Sequence, residues 1–158
     1  MSQTADKTSQ NAASAAGTTS AAQNAASAAG TAATDTIFTA PHLRWGVIGC
    51  GVIANQMAEA LASVGRTIDG VANRTQEKAV AFAQKHHVKR VYDSIDDLLA
   101  SDEIDAVYLT TPHNTHIIYL RKALQAGKHV LCEKSITLNS AELLEAEELA
   151  RQNGVQLM

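Results

Sequence analysis

The sequence has no excess of basic residues, no long apolar run and only two cysteines. Its 158 residues carry a net charge of −3, whereas nucleic-acid-binding domains usually present a basic face. No apolar stretch approaches the roughly 20 residues that a membrane helix needs. We therefore expect neither a nucleic-acid partner nor a membrane span.

The two cysteines, Cys50 and Cys132, show none of the close spacing that metal sites use. Isolated thiols are typical of proteins in a reducing compartment, which favours a cytoplasmic protein. We expect both to pack as small buried residues, with a redox switch as the less favoured alternative. The 46% of hydrophobic residues is enough for one domain with a substantial core.

Large apolar side chains are almost absent from residues 1–40. This segment is mostly Ala, Ser, Thr, Gln, Asn and Gly, and QNAASAAGT occurs at 10–18 and again at 23–31. Such a composition cannot offset the entropy lost on ordering, so we predict a disordered, low-complexity tail. The basic and apolar regions of a secretory signal are missing. A weak helix or a partner-binding arm is the alternative.

From residue 41 onward, short apolar segments alternate with segments of helical periodicity. The strand candidates lie in LRWGVIG, TIDGVANR, KRVYD, IDAVYLTT, HVLC and VQLM. Apolar strands separated by helices are typical of a parallel sheet covered on both faces. The pattern predicts a doubly wound α/β domain over 41–158, with strand order 3-2-1-4-5-6 and right-handed crossovers.

The helical spacing also predicts which side chains face the sheet. These are Ile53, Met57, Leu61 and Val64 in the first helix, Val80 and Ala83 in the second, and Leu143, Leu144 and Leu149 in the last. Two helices are predicted to begin at capping boxes, one formed by Ser94 with Asp97 and the other by Asn139 with Glu142.

The first strand ends in VIGCGVIA, where Gly49, Gly51 and Ala54 match the pattern G-x-G-x-x-G/A. Between a strand and a helix, this pattern is typical of dinucleotide-binding domains. Gly49 permits the tight turn, Gly51 lets a diphosphate approach the backbone, and Ala54 allows close helix packing. The remaining expected contacts are the main-chain groups at Cys50, Val52 and Ile53. A glycine-rich turn that binds nothing is the alternative.

The second strand ends at Asn73 and Arg74, without the Asp or Glu that NAD-binding domains usually place there. Lys78 follows one helical turn later. Arg74 can pair with a 2′-phosphate and stack on adenine. We therefore predict that these three residues contact the cofactor and favour NADP, with NAD still possible. Ordinary solvated cations at a helix start are the alternative.

The most specific stretch is YLTTPHNTHIIYLRKALQAGKHVLCEK. Together with GVIGCGVIA and VANRTQEKAVAFAQKH, it resembles the glucose–fructose oxidoreductase and inositol 2-dehydrogenase family (Gfo/Idh/MocA) over nearly all of 43–158. Dihydrodiol dehydrogenase-like members look similar here. The resemblance implies the Rossmann-fold cofactor domain of an NAD(P)-dependent oxidoreductase that acts on CH–OH groups. The implied substrate is a sugar, a polyol or a related diol or carbonyl compound, and the full-length form is expected to be a homo-oligomer.

By this resemblance, Lys134 is the lysine of a Glu-Lys-Pro motif beside the nicotinamide, and Glu133 lines the cofactor site. We predict that Lys134 is catalytic, because an amine near the substrate oxygen can polarise a carbonyl and relay a proton. Ser135 stands where the family usually has proline, so the backbone there is expected to be less constrained. A surface cation at a strand end is the alternative.

The resemblance also implies cofactor contacts after the fourth strand. These are Thr111, Pro112, His113, Asn114 and His116. A metal bound by His113 and His116 is disfavoured, because no cysteine or carboxylate follows at a suitable spacing.

Members of the resembled family carry a second α/β domain after the sixth strand. This chain ends at Met158, so we expect a fragment or truncated product that turns over little substrate. The main hypothesis is the cofactor half of an oxidoreductase. The alternatives are a non-catalytic dinucleotide-binding module or remnant, and a domain whose exposed sheet edge leaves it too unstable to bind.

Overall fold

The computed structural model describes residues 42–158, and the predicted tail lies outside them. Five parallel strands form one sheet in the order β3-β2-β1-β4-β5. The strands are β1 Trp45–Ile48, β2 Gly70–Ala72, β3 Arg90–Val91, β4 Ala106–Leu109 and β5 His129–Cys132. The predicted order is confirmed for these strands.

Helices follow the strands and cover both faces of the sheet. They are α1 Val52–Ser63, α2 Gln76–His86, α3 Ile95–Ala100, α4 His113–Gln125 and α5 Ser140–Asn153. Residues of α1 and α2 form the core on one face, and residues of α3, α4 and α5 form the core on the other. The predicted doubly wound α/β arrangement is therefore confirmed. No helix within 42–158 combines the length and apolar character needed to cross a membrane.

The last residues lie beside β5, where Leu157 forms an isolated parallel bridge with Val130. The Val130 N–H donates to the Gln156 carbonyl at 2.8 Å, and the Met158 N–H donates to the Val130 carbonyl at 3.0 Å. The expected position of a sixth strand, next to the fifth, is confirmed for this short segment.

Helices α1 and α5 bury only alanines, which corrects part of the predicted faces. In α1 the buried residues are Ala54 and Ala58. The structure exposes four residues that were expected to face the sheet: Ile53, Val64, Val80 and Leu144. A methyl side chain lets a helix axis approach the sheet closely, so the larger residues lie at the margins of the contact. Met57 and Leu61 pack there, partly buried.

Both predicted capping boxes form the expected N-cap bond. The Asp97 N–H donates to Ser94 Oγ at 3.0 Å, and the Glu142 N–H donates to Asn139 Oδ1 at 3.0 Å. These acceptors satisfy main-chain donors that a helix start leaves unpaired. Both helices therefore begin where the local sequence indicated.

Candidate functional site

The turn after β1 requires glycine at position 49. Gly49 has φ +101°, and a Cβ there would lie 2.7 Å from Thr110 Oγ1. The Gly49 N–H donates to the Ala72 carbonyl at 3.1 Å, which joins the turn to the end of β2. A side chain is therefore excluded by both conformation and space.

The start of α1 is arranged to receive an anion. Its N-cap residue is Gly51, no side chain caps the helix, and the first turn contains no acidic residue. A Cβ at Gly51 would meet nothing within 4 Å, and the next residue, Val52, is 73% exposed. Free main-chain N–H groups and the positive end of the helix dipole favour a phosphate at such a position.

A cleft of about 450 Å³ lies at the carboxyl ends of β1, β2 and β4. In an open parallel sheet, this edge is where ligands bind. The lining residues are Gly49, Cys50, Gly51, Asn73, Arg74, Thr75, Lys78, Ile95, Thr110, Thr111, Pro112, Thr115 and Tyr119. Eight of the residues predicted to contact a cofactor thus share one cavity, while the other predicted residues lie outside its lining.

Two unpaired cations line one side of the cleft. The side chains of Arg74 and Lys78 form no ion pair or hydrogen bond with any residue that the structure describes, and Arg74 is exposed. Asn73 stabilises the turn between them and β2, since its Nδ2 donates to the Thr75 carbonyl at 2.9 Å. An anionic group on a ligand would therefore meet positive charge that no protein carboxylate neutralises.

Cys50 lies in the same cleft but is a poor nucleophile. Burial raises the pKa of its thiol to about 11, although the nearby Lys78 ammonium acts in the opposite direction. Cys132 is buried, and burial raises its pKa to about 12. Because the thiolate is the reactive form, both cysteines are in the inert state at neutral pH.

Of the two charged residues that follow β5, Glu133 is hydrogen-bonded and Lys134 is not. The Tyr108 hydroxyl donates a short hydrogen bond to Glu133 Oε1, and the Glu133 N–H donates to the Leu109 carbonyl at 3.0 Å. Burial, followed by the Glu133 carboxylate, raises the pKa of Tyr108. Lys134 is exposed, and its amine forms no hydrogen bond or ion pair with residues 42–158. The peptide bond between Lys134 and Ser135 is cis.

The three residues from the start of α4 occupy different environments, which corrects one predicted contact. His113 and Asn114 are exposed in the first turn. His116 has no exposed surface, and its two ring nitrogens contact the carbonyls of Thr111 and Ser135. A fully enclosed ring cannot touch a ligand in this conformation, so His116 does not line the cleft. Similarly, Ala54 is fully buried and serves helix packing.

Five residues that line the cleft were not predicted: Thr75, Ile95, Thr110, Thr115 and Tyr119. Thr110 has a local signal, because it follows β4 at the same sheet edge as Gly49, and its Oγ1 donates to the Gly49 carbonyl at 3.2 Å. Thr115 has a weaker signal, which is its position four residues after the predicted contact Thr111. Its Oγ1 donates to Thr111 Oγ1 at 2.9 Å. Ile95 reaches the cleft from α3, which only the tertiary fold places there.

The family model for oxidoreductases with an NAD-binding Rossmann fold (GFO_IDH_MocA) matches residues 43–158. The chain belongs to this family. The predicted Gfo/Idh/MocA membership and dihydrodiol dehydrogenase-like character are confirmed by the relatives found. The trans-1,2-dihydrobenzene-1,2-diol dehydrogenase of Mus musculus is 37% identical over 119 residues, which cover 73% of this chain. The Homo sapiens enzyme of the same name is 34% identical over 119 residues.

Solved structures of a ketoreductase and of a dehydrogenase share the fold. KijD10, a 3-ketoreductase from Actinomadura kijaniata solved in complex with NADP, superposes with a TM-score of 0.69 at 34% identity, over 75% of this chain and 38% of that one. The UDP-N-acetylglucosamine 3-dehydrogenase GnnA from Acidithiobacillus ferrooxidans gives a TM-score of 0.66 at 34% identity, over 74% of this chain and 37% of that one. The chain spans 36% of the length of the mouse relative.

Proposed function

We propose that residues 43–158 form the cofactor-binding part of an oxidoreductase that uses NADP in preference to NAD. The observation that carries this proposal is the cleft in which an uncapped helix start and two unpaired cations lie at one sheet edge. A dinucleotide has a diphosphate and, in NADP, a further 2′-phosphate. The site offers a separate positive region for each of these groups.

The residues present fit this cofactor. Main-chain N–H groups following Gly51 would hold the diphosphate, because no acidic side chain competes for them. Arg74 and Lys78 would hold the 2′-phosphate, and the Arg74 guanidinium can make two parallel hydrogen bonds to it. The absence of a carboxylate at Asn73 removes the group that usually contacts the ribose hydroxyls in NAD enzymes.

The proposed chemistry is hydride transfer between nicotinamide and a hydroxyl or carbonyl carbon. The bound nicotinamide supplies or accepts the hydride, and the protein orients the reactants and manages one proton. Lys134 is the proposed catalytic residue, because its exposed amine can donate to the substrate oxygen. Glu133 is held by Tyr108, so it is proposed to shape the site rather than to move a proton.

We propose a sugar, polyol or related diol as the substrate. Two classes of relative support it: trans-1,2-dihydrobenzene-1,2-diol dehydrogenases, and the 3-ketoreductase KijD10 with the UDP-N-acetylglucosamine 3-dehydrogenase GnnA. We further propose a homo-oligomer in the full-length form and a cytoplasmic location. The location is supported by Cys50 and Cys132, which are both free thiols in the structure.

A second candidate is a module that binds the dinucleotide without catalysis. The observation that favours it is that neither Glu133 nor Lys134 lines the cleft. Replacing Lys134 by Met distinguishes the two functions in the full-length enzyme. Catalysis predicts a loss of turnover with little change in cofactor affinity, whereas a binding module shows no turnover to lose.

The experiment that tests the proposed function is a titration of the 158-residue chain with NADPH and with NADH, followed by nicotinamide fluorescence. We expect NADPH to bind at least about tenfold more tightly, since a charge-assisted contact contributes about 1.5–3 kcal/mol. Arg74→Asp should abolish that preference. Arg151→Asp, at the far end of α5, changes the net charge equally and should leave the preference intact. Tighter binding of NADH, or an unchanged ratio in Arg74→Asp, would contradict the proposal.

A further inference from the structure

The buried histidine of α4 connects two loops that carry the proposed site. His116 Nε2 lies 2.7 Å from the Thr111 carbonyl, and His116 Nδ1 lies 2.9 Å from the Ser135 carbonyl. Its side chain has no exposed surface. A buried polar ring that uses both nitrogens fixes the separation of the two main-chain segments that it contacts.

Each of these segments bears a group that the proposed function needs. Thr111 lines the cleft at the end of β4. Ser135 follows Lys134 directly, so the position of the Ser135 carbonyl constrains the direction of the lysine side chain. Both segments are loops, and the Thr111 side chain accepts a hydrogen bond from Thr115 Oγ1. The imidazole is therefore a direct hydrogen-bonded connection between the cleft wall and the lysine loop.

The chemistry of the ring makes the two contacts unequal. A neutral imidazole carries a single N–H, while both carbonyls can only accept. Cys132 Sγ lies 3.4 Å from His116 Nδ1, and this thiol stays protonated because burial raises its pKa to about 12. A proton on Nε2 therefore satisfies Thr111 and leaves Nδ1 to accept from Cys132, while a proton on Nδ1 satisfies Ser135. The two loops compete for one donor.

We propose that His116 is a positioning residue that sets the placement of the Lys134 amine relative to the cleft, through the Ser135 and Thr111 carbonyls. This rests on the proposed function, in which Lys134 acts on a substrate held against the nicotinamide. His116 touches neither substrate nor cofactor. Its effect is transmitted through the hydrogen bond that its ring donates to the main-chain carbonyl of one loop or the other.

Two substitutions separate the two contacts. The amide nitrogen of Asn reaches the position of Nδ1, and the amide nitrogen of Gln reaches the position of Nε2. His116→Asn thus keeps a donor toward Ser135, and His116→Gln keeps a donor toward Thr111. A histidine that only stabilises the core would make the two variants equivalent in every property except melting temperature.

The readouts are the NADPH dissociation constant and the ¹³C resonance of Lys134 after reductive methylation, assigned with Lys134→Arg. We expect His116→Gln to keep NADPH affinity within about threefold of the wild type and to shift the Lys134 resonance. In this variant the Lys134 amine should no longer contact the bound nicotinamide. We expect His116→Asn to keep the Lys134 resonance and to weaken NADPH binding by about fivefold, the worth of one hydrogen bond. Identical Lys134 resonances and equal NADPH affinities in the two variants would overturn the proposal.

The wild-type chain supplies a second test if the variants do not fold. The His116 ring ¹⁵N resonances and the Lys134 methyl resonance should shift together during titration with NADP. A Lys134 shift with an unaffected His116 ring would overturn the positioning role. If the wild-type chain binds no nicotinamide nucleotide, the proposed function fails. The Lys134 resonance of the two ligand-free variants then still decides whether His116 positions the lysine.

Discussion

The two edges of the sheet use charge in opposite ways. At the amino end, each strand is preceded by a charged residue, and in spatial order from β3 to β5 these are Lys89, Asp69, Arg44, Asp105 and Lys128. Their signs alternate, and neighbours pair: Lys89 with Asp69, and Arg44 with Asp105. At the carboxyl end, Arg74, Lys78 and Lys134 have no protein partner among the described residues.

Burial explains why two of the amino-end charges, Lys128 and Asp69, need polar partners. Lys128 is buried, and its Nζ donates to the carbonyls of Ser101 and Ile104 at 2.8 Å each. Asp69 is also buried, and it accepts from the Trp45 N–H at 2.8 Å as well as from Lys89. A buried charge without such partners would cost several kcal/mol. The carboxyl edge avoids this cost by leaving its cations in an open cleft, where they can bind a ligand.

The largest expected effect is on the carboxyl edge. Gly51→Ala should weaken NADPH binding by at least about 100-fold, roughly 2.7 kcal/mol, because its methyl group occupies the space that the diphosphate needs. Its melting temperature should stay close to that of the wild type, since nothing lies within 4 Å of the added Cβ. Gly49→Ala is the companion variant and should lose both binding and stability, because of its φ of +101° and its contact with Thr110. Unaltered NADPH affinity in Gly51→Ala would place the diphosphate elsewhere.

The next largest effect concerns the amino edge and should change stability without changing cofactor affinity. Lys128→Met removes the donor from two carbonyls and should lower the free energy of unfolding by about 2 kcal/mol, as measured by urea denaturation. The NADPH dissociation constant should not change. Lys85→Met is the control, because Lys85 is exposed in a 3.3 Å pair with Glu59. If Lys128→Met weakens NADPH binding while the chain stays folded, the two edges are not independent.

A smaller effect tests the hydrogen bond that the Glu133 carboxylate accepts at the carboxyl edge. Tyr108→Phe removes the donor to Glu133 and should lower the free energy of unfolding by about 1 kcal/mol. Tyr119→Phe is a matched control, because the Tyr119 hydroxyl has no described partner. Urea denaturation at neutral pH measures both. Equal stabilities of the two variants would show that the hydrogen bond to Glu133 contributes nothing.

The smallest expected effect concerns the pH dependence of the amino edge. The hydrogen bond from the Arg44 side chain lowers the pKa of Asp105 from 3.8 to about 2. A lowered pKa in the folded state stabilises the protein above pH 3.8, and this contribution disappears as the pH falls through about 2. Asp105→Asn should remove that contribution, which is below about 1 kcal/mol for a partly exposed pair. Urea denaturation between pH 7 and pH 2 measures it. Asp102→Asn should retain the wild-type slope, and an equal loss of slope there would contradict the assignment.

Much of the fold was predictable because its signals are local. The glycine turn, the capping boxes and the alternation of strands and helices each depend on residues a few positions apart. The helix faces were less predictable, because Ile53 and Val80 satisfy a helical period, yet the first helix buries Ala54 and Ala58 and the second buries Ala79, Phe82 and Ala83. Hydrophobicity alone therefore selected the wrong side chains.

The environment of His116 shows the same limit at the site. Its position four residues before Leu120 placed it on the buried face of α4, a signal that was present in the sequence. Its second acceptor, the Ser135 carbonyl, lies 19 residues later. No local pattern relates the two, and the family resemblance alone led to the prediction of a cofactor contact at His116.

The sequence by itself determined the order and type of the elements, the glycine turn and the family, because periodicity, backbone conformation and motif spacing are written within short stretches of chain. Tertiary structure alone decided which charges are neutralised and which remain free for a ligand. The physical reason is that pairing and burial depend on distances between strands that are adjacent in the sheet but remote in sequence, as Arg44 and Asp105 are.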